Sequence, residues 1–341
     1  MSGRRPRGLP GLVLAPLLLL LAGCGNDENS LEPKSHAAKD IANLFWWMMG
    51  GAWLGLALVV GLLLWSWKRR NRRGFGSDTD GPKPGERQGW FAVVGLGIAM
   101  PIVVISTLFV ISDLFVIKTT QAPAGTTTKL TVRVIGHQWW WEIRYPRNGA
   151  VTANELHIPV RTPVRIEVTT ADVIHSFWVP ELNRKIDTLP GKTNVVELYA
   201  DRAGRYRGTC SEFCGLQHAH MFMYVFAQPA PAFDRWLASQ ARPASRPSGG
   251  AAAAGERLFL NGACSSCHAV RGTPADADVG PDLTHVGSRT TLAAVTIPNT
   301  RSDLREWILD SQHVKPGNQM PNFNLSGSQV DSLVAYLEGL K

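Results

Sequence analysis

The chain has 341 residues, room for two or three domains, with a formal net charge of +8 and a 45% hydrophobic content concentrated in three early blocks. Residues 1–128, 129–250 and 251–341 carry +5, +5 and −2, and the one dense basic cluster, Lys68-Arg69-Arg70-Asn71-Arg72-Arg73, follows an apolar block, so nothing in the charge pattern calls for nucleic acid. The middle third has no glycine-rich phosphate loop and no alternation of strand with helix, which argues against an α/β nucleotide-binding fold.

From the N-terminus, Arg4, Arg5 and Arg7 precede the apolar run Leu12 to Leu21, which closes on Leu21-Ala22-Gly23-Cys24. A charged n-region, a short h-region and small residues at the cut predict a signal peptide over 1–23. The Leu-Ala-Gly-Cys ending resembles a bacterial lipobox, which implies lipidation of Cys24; an ordinary signal peptide with an incidental cysteine is the alternative. Ile41 to Trp67 then runs for 27 residues without a charge, and Gln88 to Ser112 for 25. About 20 apolar residues suffice to cross the hydrocarbon core, so transmembrane helices are predicted at 41–67 and 88–112. Trp46, Trp47, Trp65 and Trp67 sit near the ends of the first, where indole rings favour the membrane interface. The basic loop 68–87 belongs in the cytoplasm by the positive-inside rule, which puts Cys24 and everything after Asp113 on the outer side.

From Leu130 the pattern changes to short β-prone runs: Leu130 to Ile135, Glu155 to Pro159, Val164 to Thr169, Asn194 to Tyr199, Arg205 to Gly208 and Phe222 to Phe226. With Pro and Gly between them, they predict a β-sandwich or Greek-key barrel over 129–240. Within it, the stretch from Cys210 to Met221 packs the thiols of Cys210 and Cys214, the imidazole of His218 and the thioether of Met221 into twelve residues. These ligand types suit copper in an electron-transfer site, and two cysteines in one loop allow two ions to share both sulfurs. Such a site needs a second histidine, for which His175 at a strand end in Val173-Ile174-His175-Ser176-Phe177 is the best candidate. A Cys210–Cys214 disulfide is the competing reading in an oxidising compartment, and His220 and Met223 are alternative ligands on spacing alone. His137 and His157 read as ordinary strand histidines, while alternation in Trp139-Trp140-Trp141 puts the outer two on one face of a strand.

His175, 34 intervening residues and then Cys210-x-Glu212-x-Cys214-x3-His218-x2-Met221 resemble the binuclear copper A site of cytochrome c oxidase subunit II. Gly136-His137-Gln138-Trp139-Trp140-Trp141, Asp172-Val173-Ile174-His175-Ser176-Phe177 and Lys185-Ile186-Asp187-Thr188-Leu189-Pro190-Gly191 agree with that family. The resemblance implies a cupredoxin-like barrel in which Cys210 and Cys214 bridge two Cu ions and His175 and His218 bind one each. It adds Met221 and the backbone carbonyl of Glu212 as weaker ligands, so His218 and Met221 are preferred over His220 and Met223. It further implies a magnesium ion reached by the Glu212 side chain and shared with subunit I, and it makes Trp139 the exposed residue at which electrons enter. One position departs: the glutamate that many members carry early in the second span falls near Val94, so a proton-uptake role is not carried over.

Residues 241–254, Ala-Arg-Pro-Ala-Ser-Arg-Pro-Ser-Gly-Gly-Ala-Ala-Ala-Ala, read as a tether, and a new domain runs over 255–341. Its Cys264-Ser265-Ser266-Cys267-His268 is the c-type haem attachment motif, with two thioether links and a histidine axial ligand. For the sixth ligand Met320 is the only methionine after residue 250, with His285 and His313 as alternatives. Met/His ligation raises the potential, as such a carrier requires. Leu304, Trp307 and Ile308, and likewise Val330, Leu333, Val334 and Leu337, show helical spacing. This part resembles a class I cytochrome c, which implies that Pro281 of Gly280-Pro281-Asp282-Leu283 packs near His268 and that Phe259 and Tyr336 support the terminal helices. The change of charge sign favours docking of the negative C-terminal domain on the positive middle one.

The expected fold class is a multidomain membrane protein: a two-helix transmembrane hairpin, an all-β cupredoxin-like Greek-key barrel, then an all-α class I cytochrome c domain. The whole resembles subunit II of a caa3-type cytochrome c oxidase, two-pass in a bacterial plasma membrane with both redox domains on the outer side. That implies one covalent haem c, the copper pair, an external donor such as cytochrome c, contact with membrane lipid, and haem a of subunit I as acceptor, with subunit III as a further neighbour. The two spans contain no histidine to hold an oxygen-reducing centre, so that site is expected on another chain. A membrane copper-delivery protein and the copper A subunit of a nitric oxide reductase are the alternative functions; the first predicts a thioredoxin-like βαβ pattern and no haem.

Overall fold

The computed structural model describes residues 28–72, 86–118, 128 and 130–341; the signal segment, Cys24 and most of the loop between the spans lie outside the described residues. Helix α1 (His36–Arg72) is followed by α2 (Glu86–Val94), a π-helical turn Gly95–Ala99, α3 (Met100–Ile111) and a second π-helical turn Ser112–Ile117. His36–Arg69 and Gly89–Leu114 are long and apolar enough to cross a membrane, with mean hydropathies of 2.0 and 2.5. Pro101, at the start of α3, has no N–H to give the preceding turn, which accounts for a π-helical turn just before it.

The N-terminal end of α1 is fastened to the β domain. Lys34 N donates to Glu181 O at 2.8 Å and Asp201 N to Lys34 O at 2.8 Å, while His36 pairs with Glu197 at 3.0 Å and Lys39 with Asp201 at 2.6 Å. Ala37, Ala38 and Ala42 are buried in the same contact, so the span rises directly from the domain.

That domain is a sandwich of two five-stranded sheets. Its strands are β1 (Leu130–His137), β2 (Trp140–Tyr145), β3 (Ala150–Ala153), β4 (Glu155–Pro159), β5 (Val164–Thr170), β6 (His175–Trp178), β7 (Ile186–Thr188), β8 (Asn194–Leu198), β9 (Gly204–Cys210) and β10 (Phe222–Gln228). The orders are β3-β2-β1-β5-β8 and β4-β10-β9-β6-β7, with β1–β5 and β4–β10 parallel. Alternation sends Val132, Val134, Ile143, Ile166, Val168 and Val196 inward, all of them fully buried. The six predicted runs are strands; β3 and β7, four and three residues long, are too short to display a period. One expectation is corrected: Trp139 is not on a strand with Trp141 but in the turn before β2.

Helix α4 (Ala230–Gln240) closes the sandwich, setting Trp236 edge-on to Tyr145 at 5.4 Å. Helix α5 (Gly250–Asn261) begins inside the predicted tether, because Ala251 to Ala254 have the highest helix propensity of any residue type. The remaining connection, 241–249, is packed down: Ala244 N donates to Arg271 O at 2.9 Å, and Arg246 pairs with Glu256 at 2.9 Å. The last domain adds β11 (Thr291–Leu292), β12 (Ile297–Pro298), α6 (Arg301–Leu309), α7 (Ser311–Val314) and α8 (Gly327–Gly339). Helices α5 and α8 cross at Gly255, where a Cβ would lie 2.0 Å from Ser332 O, and Phe259 packs on Tyr336 at 5.6 Å.

Candidate metal centre and haem pocket

The metal site is assembled from two strand ends and a loop. Cys210 ends β9, Cys214 lies in the loop that follows, His218 opens a short 3-10 turn, Met221 precedes β10, and His175 is the first residue of β6. The two Sγ atoms are 3.8 Å apart, far beyond the roughly 2.05 Å of a disulfide, which removes that competing reading. His175 Nδ1 lies 3.9 Å from Cys210 Sγ, and His218 Nδ1 lies 3.6 Å from Cys214 Sγ. Met221 Sδ is 3.8 Å from Cys214 Sγ, and Glu212 O is 3.3 Å from Cys210 Sγ. The predicted donors therefore surround one pair of sulfurs. The alternatives are elsewhere: His220 is exposed and bonded to Gln217 Oε1 at 2.9 Å, and Met223 is in the core.

Local chemistry prepares these donors. His175 Nε2 is 2.8 Å from Asp172 Oδ1, which leaves Nδ1 for the sulfur side. Burial opposes a charge on His175, but its bonds to Asp172 and Cys210 outweigh that and raise it above the usual imidazole value. The Cys210 thiol is pulled down to about 3 by the hydrogen bond from Cys214, against burial and with help from His175, whereas Cys214 is pushed up by the same bond. One sulfur is thus a ready thiolate beside two imidazoles and a thioether, a donor set that fits copper. Gly136 makes room for it: a Cβ there would stand 2.7 Å from His175 Cδ2.

The second centre is a cavity of about 230 Å³ in the C-terminal domain, lined by Cys264, Cys267, His268, Gly280, Pro281 and Met320. His268 Nδ1 donates to Pro281 O at 2.8 Å, leaving Nε2 free to ligate, and burial pushes this imidazole below its ordinary value, towards the neutral ligand form. Met320 is on the wall; His285 is not, being buried against Arg242 O at 3.0 Å, nor is the exposed His313, 3.9 Å from Glu306. Two thiols, a free imidazole nitrogen and a thioether around an apolar space fit a covalent haem. The buried Arg289 Nε, on the same wall and without a hydrogen-bond partner, fits its acidic edge.

Residues 147–228 match the family model for the periplasmic domain of cytochrome c oxidase subunit II, and residues 252–341 match the cytochrome c model. Cytochrome c oxidase subunit 2 of Alkalihalophilus pseudofirmus is 33% identical over 336 residues, covering 97% of this chain and 96% of that one. The chain belongs to the cytochrome c oxidase subunit 2 family. Its counterpart in Bacillus sp. strain PS3 is 30% identical, with 95% of each chain covered. The solved periplasmic domain of subunit II of cytochrome oxidase from Bradyrhizobium japonicum is 32% identical, covering 33% of this chain and 94% of that one, with a TM-score of 0.33.

In this subunit 2 the haem pocket is completed by the copper domain, for Gln138, Trp139, Trp140 and Asn154 also line the cavity. Trp139 was expected to be exposed; it is 9% exposed, packed with the core of the copper domain and on the wall of the cavity shared with the cytochrome domain. Its Nε1 donates to Cys214 O at 3.0 Å, and Gln138 Nε2 donates to the same oxygen at 2.6 Å. Gly215, at φ +115°, bends the copper loop against this tryptophan, where a Cβ would lie 3.0 Å from its ring. Asp172 and Gln138 were legible only as parts of a family motif. Lys315, 3% exposed at the domain boundary, carried no sequence signal at all. Burial pushes its ammonium down to about 7, while the carbonyls that accept its protons favour the charged form.

Proposed function

We propose that this chain accepts electrons at a covalent haem c and passes them through a binuclear copper A centre to haem a of oxidase subunit I, where oxygen is reduced and protons are pumped. Cys264 and Cys267 would attach the haem, with His268 and Met320 to hold its iron. Cys210, Cys214, His175 and His218 would hold the coppers, with Met221 and Glu212 O as the weaker ligands. Both groups, when bound, supply one-electron redox chemistry; the protein contributes ligands, exclusion of water and fixed separation. The reading rests on one observation above all: Trp139 is at once a wall of the haem pocket and a hydrogen-bond donor to Cys214 O, at 3.0 Å.

The finer assignments belong to the same proposal. The exposed Glu212 side chain leaves its carboxylate available to a magnesium ion shared with subunit I. The fastening of the N-terminal end of α1 to the copper domain supports a copper domain on the side where the first span begins, which we read as the periplasmic face of a bacterial inner membrane. Subunit III, a soluble cytochrome c donor and surrounding lipid complete the setting, with Cys24 as lipid anchor. Residues 1–23 are the signal peptide, 68–87 the cytoplasmic loop, 129–240 the copper domain and 255–341 the cytochrome domain.

The test is purification of the complex from membranes. Haem a together with haem c, two coppers per chain, and oxygen consumption with reduced cytochrome c are expected. A complex without haem a that turns over nitric oxide instead overturns the reading in favour of a nitric oxide reductase.

A further inference from the structure

The copper and cytochrome domains meet through charges seated on backbone instead of through ion pairs. Lys315, just after α7, donates from Nζ to Trp139 O at 3.1 Å, His220 O at 2.9 Å and Ala293 O at 3.0 Å. Two of those carbonyls belong to the copper domain, in the turn before β2 and in the copper loop. Glu155, on β4 and 4% exposed, answers from the other side. Its Oε1 accepts from Thr290 N at 2.7 Å, Thr290 Oγ1 at 2.6 Å and Thr291 N at 3.2 Å. Gln217 of the copper loop adds a bond from Nε2 to Pro316 O at 2.6 Å. Among the described residues neither Lys315 nor Glu155 has an ion-pair partner within 4.0 Å; Arg289 attracts Glu155 from farther away, and the hydrogen bonds do the rest.

A buried ammonium or carboxylate is costly unless its hydrogen-bonding capacity is met. Both are met here only when the domains are docked in one pose. A surface salt bridge tolerates sliding because either side chain can follow the other. A charge bonded to main-chain groups of the opposite domain does not, since those groups are held by the turn, loop and strand ends around them. Lys315 and Thr291, a hydrogen-bond donor to Glu155, line the haem pocket together with Trp139.

We propose that Lys315 and Glu155 are positioning residues forming a reciprocal interdomain lock, which holds the open side of the haem pocket on the Trp139 turn and so sets electron transfer between the two centres. This rests on the two-centre reading above. The specificity of the lock comes from hydrogen bonds to fixed backbone groups, and the attraction between Glu155 and Arg289 across the boundary adds to them.

The experiment uses the intact complex and three variants, Lys315→Met, Glu155→Leu and Glu155→Gln. Hydrogen exchange at the Thr290 and Thr291 amides reads the lock without reference to any cofactor. In Glu155→Leu and, at a distance, in Lys315→Met it is expected to rise about tenfold, the consequence of losing hydrogen bonds to a charged group. Glu155→Gln keeps the accepting oxygen and is expected to stay close to the parent. Haem-to-copper transfer, followed after rapid reduction of the haem, is expected to slow severalfold in Lys315→Met and Glu155→Leu, because tunnelling weakens as the two centres separate. The haem and copper spectra should not change. Unaltered exchange in both disruptive variants overturns the lock, and faster exchange with an unaltered transfer rate overturns its positioning role. Should Lys315→Met fail to assemble, the contrast between Glu155→Leu and Glu155→Gln decides alone. A parent complex lacking copper or haem refutes the two-centre reading, while the exchange data still judge the lock.

Discussion

Replacing Gly136 by alanine adds one methyl group to β1 at the point where the sheet passes beneath His175, the proposed copper ligand. The new Cβ would lie 2.7 Å from His175 Cδ2, 3.1 Å from Cγ and 3.4 Å from Cβ. The ring must therefore retreat by about 0.7 Å to reach an ordinary contact, well beyond the roughly 0.2 Å tolerance of a metal–ligand distance. It has nowhere easy to go, being fully buried, held by Asp172 at 2.8 Å on Nε2 and packed beside Trp141 at 5.8 Å. Overpacking of this kind costs about 1–3 kcal/mol, a strain the sandwich survives. The expected result is a folded complex with copper affinity lowered about 10–100-fold, the usual effect of disturbing what orients a ligand. Copper per chain, copper A absorption and haem content measure it, with haem unaffected. Gly204→Ala is the control, since its Cβ meets nothing closer than 3.5 Å. Full copper loading and an unchanged copper spectrum in Gly136→Ala would refute the reasoning, as would equal copper loss in the control.

Gly280→Ala makes the parallel case for haem: its Cβ would stand 2.6 Å from His268 Cε1 and 2.8 Å from Nδ1, so the bond to Pro281 O breaks and the ligand turns. A shifted haem absorption and reduction potential with intact copper are expected, and an unaltered potential counts against that role for Gly280. Gly255→Ala sets a Cβ 2.0 Å from Ser332 O, a backbone atom that cannot step aside, and should cost about 3 kcal/mol or more. Loss of haem incorporation with the copper domain still folded is the expected outcome. His157 is a pH prediction: buried at 7% exposure and stacked on Trp236 and Phe226, its imidazole is pushed down to about 4 by burial. The unfolded chain binds the proton that the folded one refuses, so stability is complete above about 6.5 and falls as pH drops towards 4, by about 3 kcal/mol. His157→Phe keeps the stacking and should remove that part of the acid sensitivity of thermal unfolding; an unchanged pH profile would exclude His157 as its source.

What the chain revealed before folding, and what it hid, divide along a physical line. Ligands were legible because metal and haem chemistry demand particular residue types at short spacings, and Cys210, Cys214, His218 and Met221 share one loop. The long strands were legible because burial on one face imposes a period of two, as in β5, where Val164, Ile166 and Val168 are buried. Trp139 was misplaced for the opposite reason. Its ring packs against a loop more than seventy residues later, at Cys214 and Gly215, and alternation within Trp139-Trp140-Trp141 carries no information about a turn that ends one strand and starts the next. Lys315 and Glu155 are the extreme of that class. A lysine after a short helix and a glutamate at a strand start are by default solvated, and only the opposite domain's carbonyls and amides make them buried and specific.

The same line separates the two kinds of control over electron flow in this subunit. Ligand identity is written locally and is robust: exchanging a surface residue leaves four donors around two sulfurs. The relation between the two centres is not local; it depends on a few bonds across one boundary. A tether whose nine non-helical residues were free would leave that relation to diffusion, whereas the packed segment 241–249 and the struts at 155 and 315 fix it. Substitutions that abolish transfer with both centres full are therefore expected to cluster at the domain boundary, where no motif search would place them.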